Sequence, residues 1–313
     1  IADSGIVAVV SLKYITPLDS LTNSWRIVTP LKVIKEFSID FSGDLKMAEE
    51  VMAMGLYISI AGPVTFKASK GLKEVAKEIP DDYLLLETDA PYLAPEPLRG
   101  KRNEPSYIVH TAAEVARLRG VTVEDVARVT TLNAKRLFGI GGLSEEGLIT
   151  YKIRDSLYLN ITNRCTNRCS FCVRSYSDYV KGHYLRLKDE PSIDELKEKI
   201  GDPSAYGEVV FCGYGEPLIR LDLVKGLSRW IKDKGGRVRI NTNGHGNLIH
   251  GRNILPELEG LVDVLSVSLD AHDEETYEKI CSPSFPNAFK GVLEFIKEAK
   301  KHIPDVLKEC YSC

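Results

Sequence analysis

The sequence lacks the features of a secreted protein, of a membrane protein and of a strongly basic nucleic-acid-binding protein. No cysteine precedes residue 165 and the total of seven is odd, which argues against a disulfide framework. No apolar run approaches the roughly 20 residues that span a bilayer. The net charge of −3 gives no bulk attraction to nucleic acid or to an anionic membrane. Cysteines clustered in one half suit a metal site in a reducing cytoplasm, so we predict a cytoplasmic protein without a membrane partner.

Two domains of an α/β protein are indicated by the length and by the hydrophobic pattern. The chain has 313 residues, 43% of them hydrophobic, which suits about two globular domains. In the second half, β-branched runs alternate with helical segments, and that order predicts a parallel sheet. The predicted strands there are 156–161, 208–212, 237–241 and 262–269, and the predicted helices are 192–200, 222–234, 274–280 and 287–302.

The first half gives a shorter βα signal. Strands are predicted at 56–61 and 83–87, and helices at 46–54, 67–79, 106–119 and 123–138. Residues 1–37 have no assignable period. The Gly-rich stretch after residue 138 has no helical period and is interpreted as a linker. We therefore predict domains at 38–141 and 155–313, joined by a linker at 142–154, with 1–37 unassigned.

A loop with three cysteines follows the first strand of the second half. Cys165, Cys169 and Cys172 are spaced by four and three residues, so their thiolates can converge on one small object. Loops at the carboxyl ends of parallel strands carry the sites of α/β proteins. Three protein ligands leave one metal position open, as a reactive site needs. The alternative is a structural zinc site, in which Cys212 or one of the two terminal cysteines, Cys310 and Cys313, would be the fourth ligand.

The cysteine spacing, with Phe171 before the last cysteine, is similar to the signature of the radical S-adenosylmethionine (SAM) family. The resemblance implies a [4Fe–4S] cluster on Cys165, Cys169 and Cys172. Its open iron would be chelated by the amino and carboxylate groups of SAM, and an electron donor would be required. Reductive cleavage then gives a 5′-deoxyadenosyl radical. Phe171 would pack near the adenine.

Further matches to that family follow the next three strands. Gly213, Gly215 and Glu216 resemble the element that holds the methionine amino group, although Tyr214 stands between the two glycines. The remaining matches are Asn243, Ser268 and Asp270, which would line the SAM pocket. The fold implied is a partial (β/α) barrel.

The first half resembles the TatD family, metal-dependent deoxyribonucleases on a (β/α)8 barrel. The matching stretches are 41–44, 57–67, 84–95, 99–105 and 133–138, which correspond to the last part of such a barrel only. No histidine precedes His110, and Ile39 stands where a ligand histidine is expected. Asp89 alone remains of the metal ligands and is the one catalytic candidate. A divalent metal is therefore not expected here, and a loop or capping role for Asp89 is favoured.

These observations predict a radical SAM enzyme fused to a degenerate TatD-like segment, similar to radical SAM proteins associated with TatD nucleases. The substrate cannot be identified from the sequence. A TatD-type deoxyribonuclease and a non-enzymatic zinc-binding module are the alternatives. Four strands are predicted where the family has six, and 306–313 is not predicted as a fifth. The chain is therefore expected to be a fragment or to have disrupted reading frames.

Overall fold

The computed structural model describes residues 38–309. The chain divides into two compact units, residues 1–143 and 144–313. The unassigned segment 1–37 and the cysteines at 310 and 313, considered above as zinc ligands, lie outside the described residues. Within 38–309, none of the helices combines the length and the apolar character needed to cross a bilayer.

The first unit contains a three-stranded parallel sheet in the order β1-β2-β3. Its core is formed by aliphatic side chains of β2 and β3 against the helices, among them Ile58, Ile60 and Leu84. Strand β1 was not predicted, because three residues are too few to show a period. The elements are β1 (Ser38–Asp40), α1 (Leu45–Ala53), β2 (Tyr57–Ile60), α2 (Lys70–Glu78), β3 (Leu84–Leu86), α3 (Ile108–Arg119) and α4 (Val123–Phe138).

The second unit contains a six-stranded sheet and a two-stranded one. Its strands are β4 (Thr150–Ile153), β5 (Ser156–Leu159), β6 (Tyr179–Val180), β7 (His183–Tyr184), β8 (Val209–Phe211), β9 (Val238–Thr242), β10 (Val264–Ser268) and β11 (Asp305–Glu309). Its helices are α5 (Ile193–Ile200), α6 (Leu221–Asp233), α7 (Gly246–His250), α8 (Leu255–Leu258), α9 (Glu274–Cys281) and α10 (Ala288–Ala299).

The order of the large sheet is β11-β10-β9-β8-β5-β4. All neighbours pair in parallel except β4 and β5, which are antiparallel. Five strands therefore follow each other in chain order, so their carboxyl ends meet at one edge of the sheet. The loops that leave β5, β8, β9 and β10 consequently lie next to each other, and these loops carry the predicted site.

Two expectations about this unit are corrected. The expected linker 142–154 ends in β4, which pairs with β5. The tail was predicted not to form a fifth strand, but Asp305–Glu309 pairs in parallel with β10. Among the described residues, β4 and β11 are the two edges of an open sheet. The α/β class and the parallel sheet are confirmed, whereas closure into a barrel is not observed.

Candidate functional site

The cysteine loop leaves β5 and returns to the two-stranded sheet β6–β7. Cys169 and Cys172 line one cleft of about 430 Å³, together with Arg174 and Tyr214. Cys165 lies deeper, where its sulfur is 3.8 Å from Asn243 Nδ2. Burial raises the pKa of the Cys165 thiol to about 11. This thiol is therefore protonated near neutral pH, and binding of a metal there would release its proton.

The donor set of this loop fits an iron–sulfur cluster. Thiolates are the ligands of such clusters, and two of the three cysteines face the same cleft. The cleft also borders a buried polar atom, Arg174 Nε, which has no hydrogen-bond partner in the described part of the chain. A ligand with an acceptor atom in the cleft would satisfy this donor.

The resemblance to the radical SAM family places Gly213 and Gly215 at the methionine end of the cofactor, where a glycine lets the backbone come close to a ligand. The structure gives a different reason for the missing side chains. A Cβ atom at Gly213 would lie 2.3 Å from Asn160 Oδ1, and one at Gly215 would lie 2.3 Å from the carbonyl oxygen of Arg164. The backbone of this loop is packed directly against the start of the cysteine loop. Glu216 N donates to the same Arg164 carbonyl at 2.8 Å.

Glu216 is a buried carboxylate that joins the loop after β8 to the end of β9. Its Oε1 accepts from Leu218 N at 2.9 Å and from the Thr242 hydroxyl at 2.8 Å. Its Oε2 accepts from Asn243 N at 2.8 Å. Burial raises the pKa of Glu216 to about 7, and these hydrogen bonds act in the opposite direction. The carboxylate therefore fixes the relative position of two of the predicted site loops.

Asn243 contacts the cysteine loop directly. Its backbone N–H is held by Glu216, and its side-chain amide donates to the Thr166 hydroxyl at 2.9 Å. Thr166 is the residue after Cys165. The structure thus places Asn243 in contact with both Glu216 and Cys165, and their role in binding a cofactor stays a prediction.

A buried histidine completes this arrangement and was not predicted. His245 Nδ1 lies 2.8 Å from the Thr166 hydroxyl, and Nε2 lies 3.0 Å from the Tyr277 hydroxyl. Tyr277 in turn accepts from Asn167 Nδ2 at 3.3 Å. Burial lowers the pKa of His245 to about 4, so the ring is neutral near pH 7, with one nitrogen donating and the other accepting. Only tertiary contacts distinguish this histidine from a surface one.

The two residues predicted on the fourth strand lie in different surroundings. Ser268 is half-buried at the end of β10, opposite Glu309 of β11. Asp270 is buried, with a φ of +57°, and its carboxylate lies near the sulfur atoms of Cys169 and Cys281. Cys281 was not among the predicted site residues. Phe171 is half-buried and packs against the hydrophobic core, and its place beside an adenine stays a prediction.

Asp89 lies in the first unit, in the loop after β3. It is half-buried, and its carbonyl accepts from Tyr92 N at 2.7 Å. In residues 38–309, the one group of three close His, Cys, Asp or Glu ligands is formed by Cys169, Asp270 and Cys281 and does not include Asp89. A catalytic role for Asp89 stays a prediction.

Both family resemblances predicted from the sequence are confirmed by comparison with known proteins. Residues 32–139 match the family model of TatD related DNase, and residues 159–311 match that of the Radical SAM superfamily. The two matches are separate, and each falls within one of the two compact units.

The curated relatives match the first unit. Over 100 residues, the chain is 56% identical to the uncharacterized metal-dependent hydrolase YabD of Bacillus subtilis (strain 168), covering 32% of this chain and 39% of that protein. It is 47% identical over 100 residues to the uncharacterized metal-dependent hydrolase YcfH of Escherichia coli (strain K12), covering 32% of this chain and 38% of that protein. The chain thus spans about two fifths of the length of these relatives.

Among solved structures, TYW1 with a lysine-pyruvate adduct bound is 16% identical, with a TM-score of 0.35. That similarity covers 50% of this chain and 55% of the other.

Proposed function

We propose that this protein is a radical SAM enzyme whose cluster is bound by Cys165, Cys169 and Cys172. The observation that carries the proposal is the three-cysteine loop, which lies at the carboxyl edge of a parallel sheet within the residues that match the Radical SAM family. A bound [4Fe–4S] cluster with SAM would supply a 5′-deoxyadenosyl radical. The electron donor and the substrate would be separate molecules.

The protein's own part in this chemistry is to hold the loop and to shape the cleft. Asn243 and His245 both bind the Thr166 hydroxyl, so the backbone next to Cys165 is fixed from two sides. Gly215 allows the neighbouring loop to pack on Arg164. This preorganisation matters because a site that is loose by about 1 Å loses much of its activity.

The cleft beside Cys169 and Cys172 is the proposed place of the SAM molecule. Arg168, Arg174 and Arg186 line it. Asp178 forms an ion pair with Arg186, with 3.6 Å between its Oδ1 and Arg186 Nη1. The cleft thus carries an excess of positive charge, which favours a ligand with a carboxylate. Gly213, Glu216, Asn243 and Ser268 are proposed to border the same ligand from the adjoining loops.

Anaerobic reconstitution with iron and sulfide tests the cluster. The full chain should gain a broad absorbance near ~400 nm that is typical of thiolate-bound clusters. Cys169→Ala should lose this absorbance. Cys212→Ala is the matched control, because Cys212 lies next to the site but outside the trio, and it should keep the cluster. A colourless wild-type protein with stoichiometric zinc would overturn the proposal.

Radical chemistry needs its own test. With a strong one-electron reductant and SAM, the reconstituted chain should release 5′-deoxyadenosine, and the Cys169→Ala variant should release none. A fully loaded cluster without this product would contradict the assignment as a SAM-cleaving enzyme.

For the TatD-like segment, we propose that it does not hydrolyse DNA. The chain has no histidine before His110, and the group of three close metal-ligating side chains found in residues 38–309 does not include Asp89. One carboxylate cannot hold the divalent metals that polarise a phosphate. Nuclease activity that depends on Mn²⁺ or Mg²⁺ and is lost in Asp89→Asn would contradict this and favour the deoxyribonuclease alternative.

A further inference from the structure

Cys281 is a buried cysteine outside the three-cysteine motif, at the last position of α9. The backbone holds it beside Cys169. Arg168 N donates to the Cys281 carbonyl at 2.9 Å, and Ser170 N donates to the Ile280 carbonyl at 2.8 Å. The residues on both sides of Cys169 are therefore bonded to the end of α9, and the two cysteines are held next to each other before any ligand binds.

A carboxylate lies against the same pair. The sulfur atoms of Cys169 and Cys281 and a carboxylate oxygen of Asp270 all lie within 4.8 Å of one another. In a tetrahedral zinc site, Zn–S distances of about 2.3 Å and Zn–O distances of about 2.0–2.2 Å separate the ligand atoms by roughly 3.5–3.8 Å. Small side-chain adjustments would therefore bring these three donors onto one ion.

From this geometry we infer that Cys169, Asp270 and Cys281 form a second metal site, specific for a soft divalent cation such as Zn²⁺. Two thiolates select zinc over the hard cations Mg²⁺ and Ca²⁺. Cys169 also lines the open cleft, which gives an ion a route to the site and leaves its fourth position accessible to water. Three protein ligands and one open position are a common zinc arrangement.

The zinc site and the proposed cluster share Cys169, so they exclude each other. This consequence rests on the proposed function, whereas the zinc site itself does not. The cluster-free chain would bind zinc through Cys169 and Cys281, and zinc would then have to leave before the cluster could be assembled. Cys281 is thus a metal ligand of the cluster-free protein only.

The experiment is a metal-binding comparison on the full chain, freed of iron and kept reduced without oxygen. Zn²⁺ is titrated against a chromophoric chelator, and Co²⁺ is used in parallel because thiolate ligands give it a distinct charge-transfer spectrum. The wild type should bind one equivalent of zinc. Cys281→Ser and Asp270→Asn should weaken zinc binding by more than the roughly 10- to 100-fold that loss of a supporting contact costs.

Zinc binding and cluster binding should respond differently to three cysteine substitutions. Cys281→Ser should lose zinc but keep the reconstituted cluster. Cys165→Ser should keep zinc and lose the cluster, and Cys169→Ser should lose both. Circular dichroism of each variant identifies any that fail to fold, and the cobalt spectrum of the wild type reports thiolate ligation without any substitution.

Two outcomes would overturn the inference. One is unchanged zinc affinity in Cys281→Ser, and the other is a wild-type cobalt complex without thiolate bands. If the wild type takes up no cluster but binds zinc through Cys281, the proposed function fails and the second site stands.

Discussion

At the scale of single residues, the conformation of the cysteine loop depends on neighbours that are not themselves cysteines. At Gly215, the Cβ atom of any other residue would meet two backbone carbonyl oxygens, of Arg164 and Thr162, at 2.3 Å and 2.6 Å. Backbone atoms cannot rotate away as a side chain can, so the cysteine loop itself would have to move.

Gly215→Ala should therefore destabilise the protein by about 1–3 kcal/mol, the usual cost of overpacking a tight site. Urea unfolding measures the change, and cluster loading should fall with it. Gly142→Ala is the matched control, because no atom lies within 4 Å of its added Cβ. Equal stability of the two variants would contradict the close packing of these loops.

His245 is the second residue of this kind. His245→Ala would remove one partner from the half-buried Thr166 hydroxyl and one from the buried Tyr277 hydroxyl, and each lost hydrogen bond should cost about 0.5–1.5 kcal/mol. We expect lower stability and slower cluster reconstitution, measured by urea unfolding and by absorbance. The exposed His272 provides the control substitution, His272→Ala, which should change neither quantity.

The raised pKa of Glu216 implies that the stability of the folded protein depends on pH, with a definite sign. Its pKa is raised from 4.5 to about 7, so the folded state binds more protons than the unfolded state between these values. Its contribution to stability is therefore present at low pH and is lost as the pH rises from 4.5 to about 7. His245, whose pKa is lowered from 6.5 to about 4, acts in the opposite direction, since stability is lost as the pH falls through that window.

Glu216 and His245 change the stability in opposite directions as the pH changes, so the pH profile of the wild type alone would show neither effect. Urea unfolding of wild type and Glu216→Gln at pH 5 and pH 7.5 isolates the carboxylate. Relative to the variant, the wild type should lose stability at the higher pH. A constant difference between the two proteins would show that Glu216 keeps an ordinary pKa in the folded state.

At the scale of secondary-structure elements, most helix ends lie close to the positions that the sequence predicts. Helix α5 was predicted over 192–200, and both hydrogen bonds of a capping box are present at its start: Glu195 N donates to Ser192 Oγ at 3.2 Å, and Ser192 N donates to Glu195 Oε2 at 2.7 Å. The signal is local, because a capping box joins residues only three positions apart.

Ser192→Ala should lower the free energy of unfolding by about 1 kcal/mol, the typical value of an N-cap. Chemical denaturation measures it. Ser204→Ala, at an exposed position where the side chain bonds Asp202 and caps no α-helix, is the comparison substitution and should cost less. A larger loss in Ser204→Ala would contradict the capping role.

The two strands at the edges of the large sheet, β4 and β11, were not predicted from the sequence. In β11, Val306 is half-buried and Leu307 is 48% exposed, so the strand has no clean alternation of buried and exposed residues. Its strand conformation is fixed by five register pairs with β10, from Val264–Asp305 to Ser268–Glu309. Pairing with a distant strand leaves little trace in a short stretch of sequence.

At the scale of the whole molecule, each compact unit has a hydrophobic core of its own. The first is built on Ile58, Ile60 and Leu84, and the second on Leu159, Phe211 and Ile240. A core of this size is what a domain needs to fold by itself. All the proposed cluster and SAM ligands lie in the second unit.

Residues 144–313 expressed alone should therefore fold and bind the cluster as the full chain does. Far-ultraviolet circular dichroism, cooperative unfolding and iron content after reconstitution check this. The matched piece, residues 1–143, should fold but take up no iron–sulfur cluster. Loss of the cluster in a folded 144–313 piece would mean that the first unit contributes to the site.

The sequence by itself determined the α/β class, the βα order and the place of the cysteine loop after a strand, because each depends on residues a few positions apart. It also proposed Glu216 and Asn243 as site residues, because both come after predicted strands. Only the tertiary structure decided what lies beside them. His245 lies 79 positions along the chain from its partner Thr166, and Cys281 lies 112 positions from Cys169. Such contacts exist only once parallel strands bring their carboxyl ends to one edge, and no local pattern encodes them.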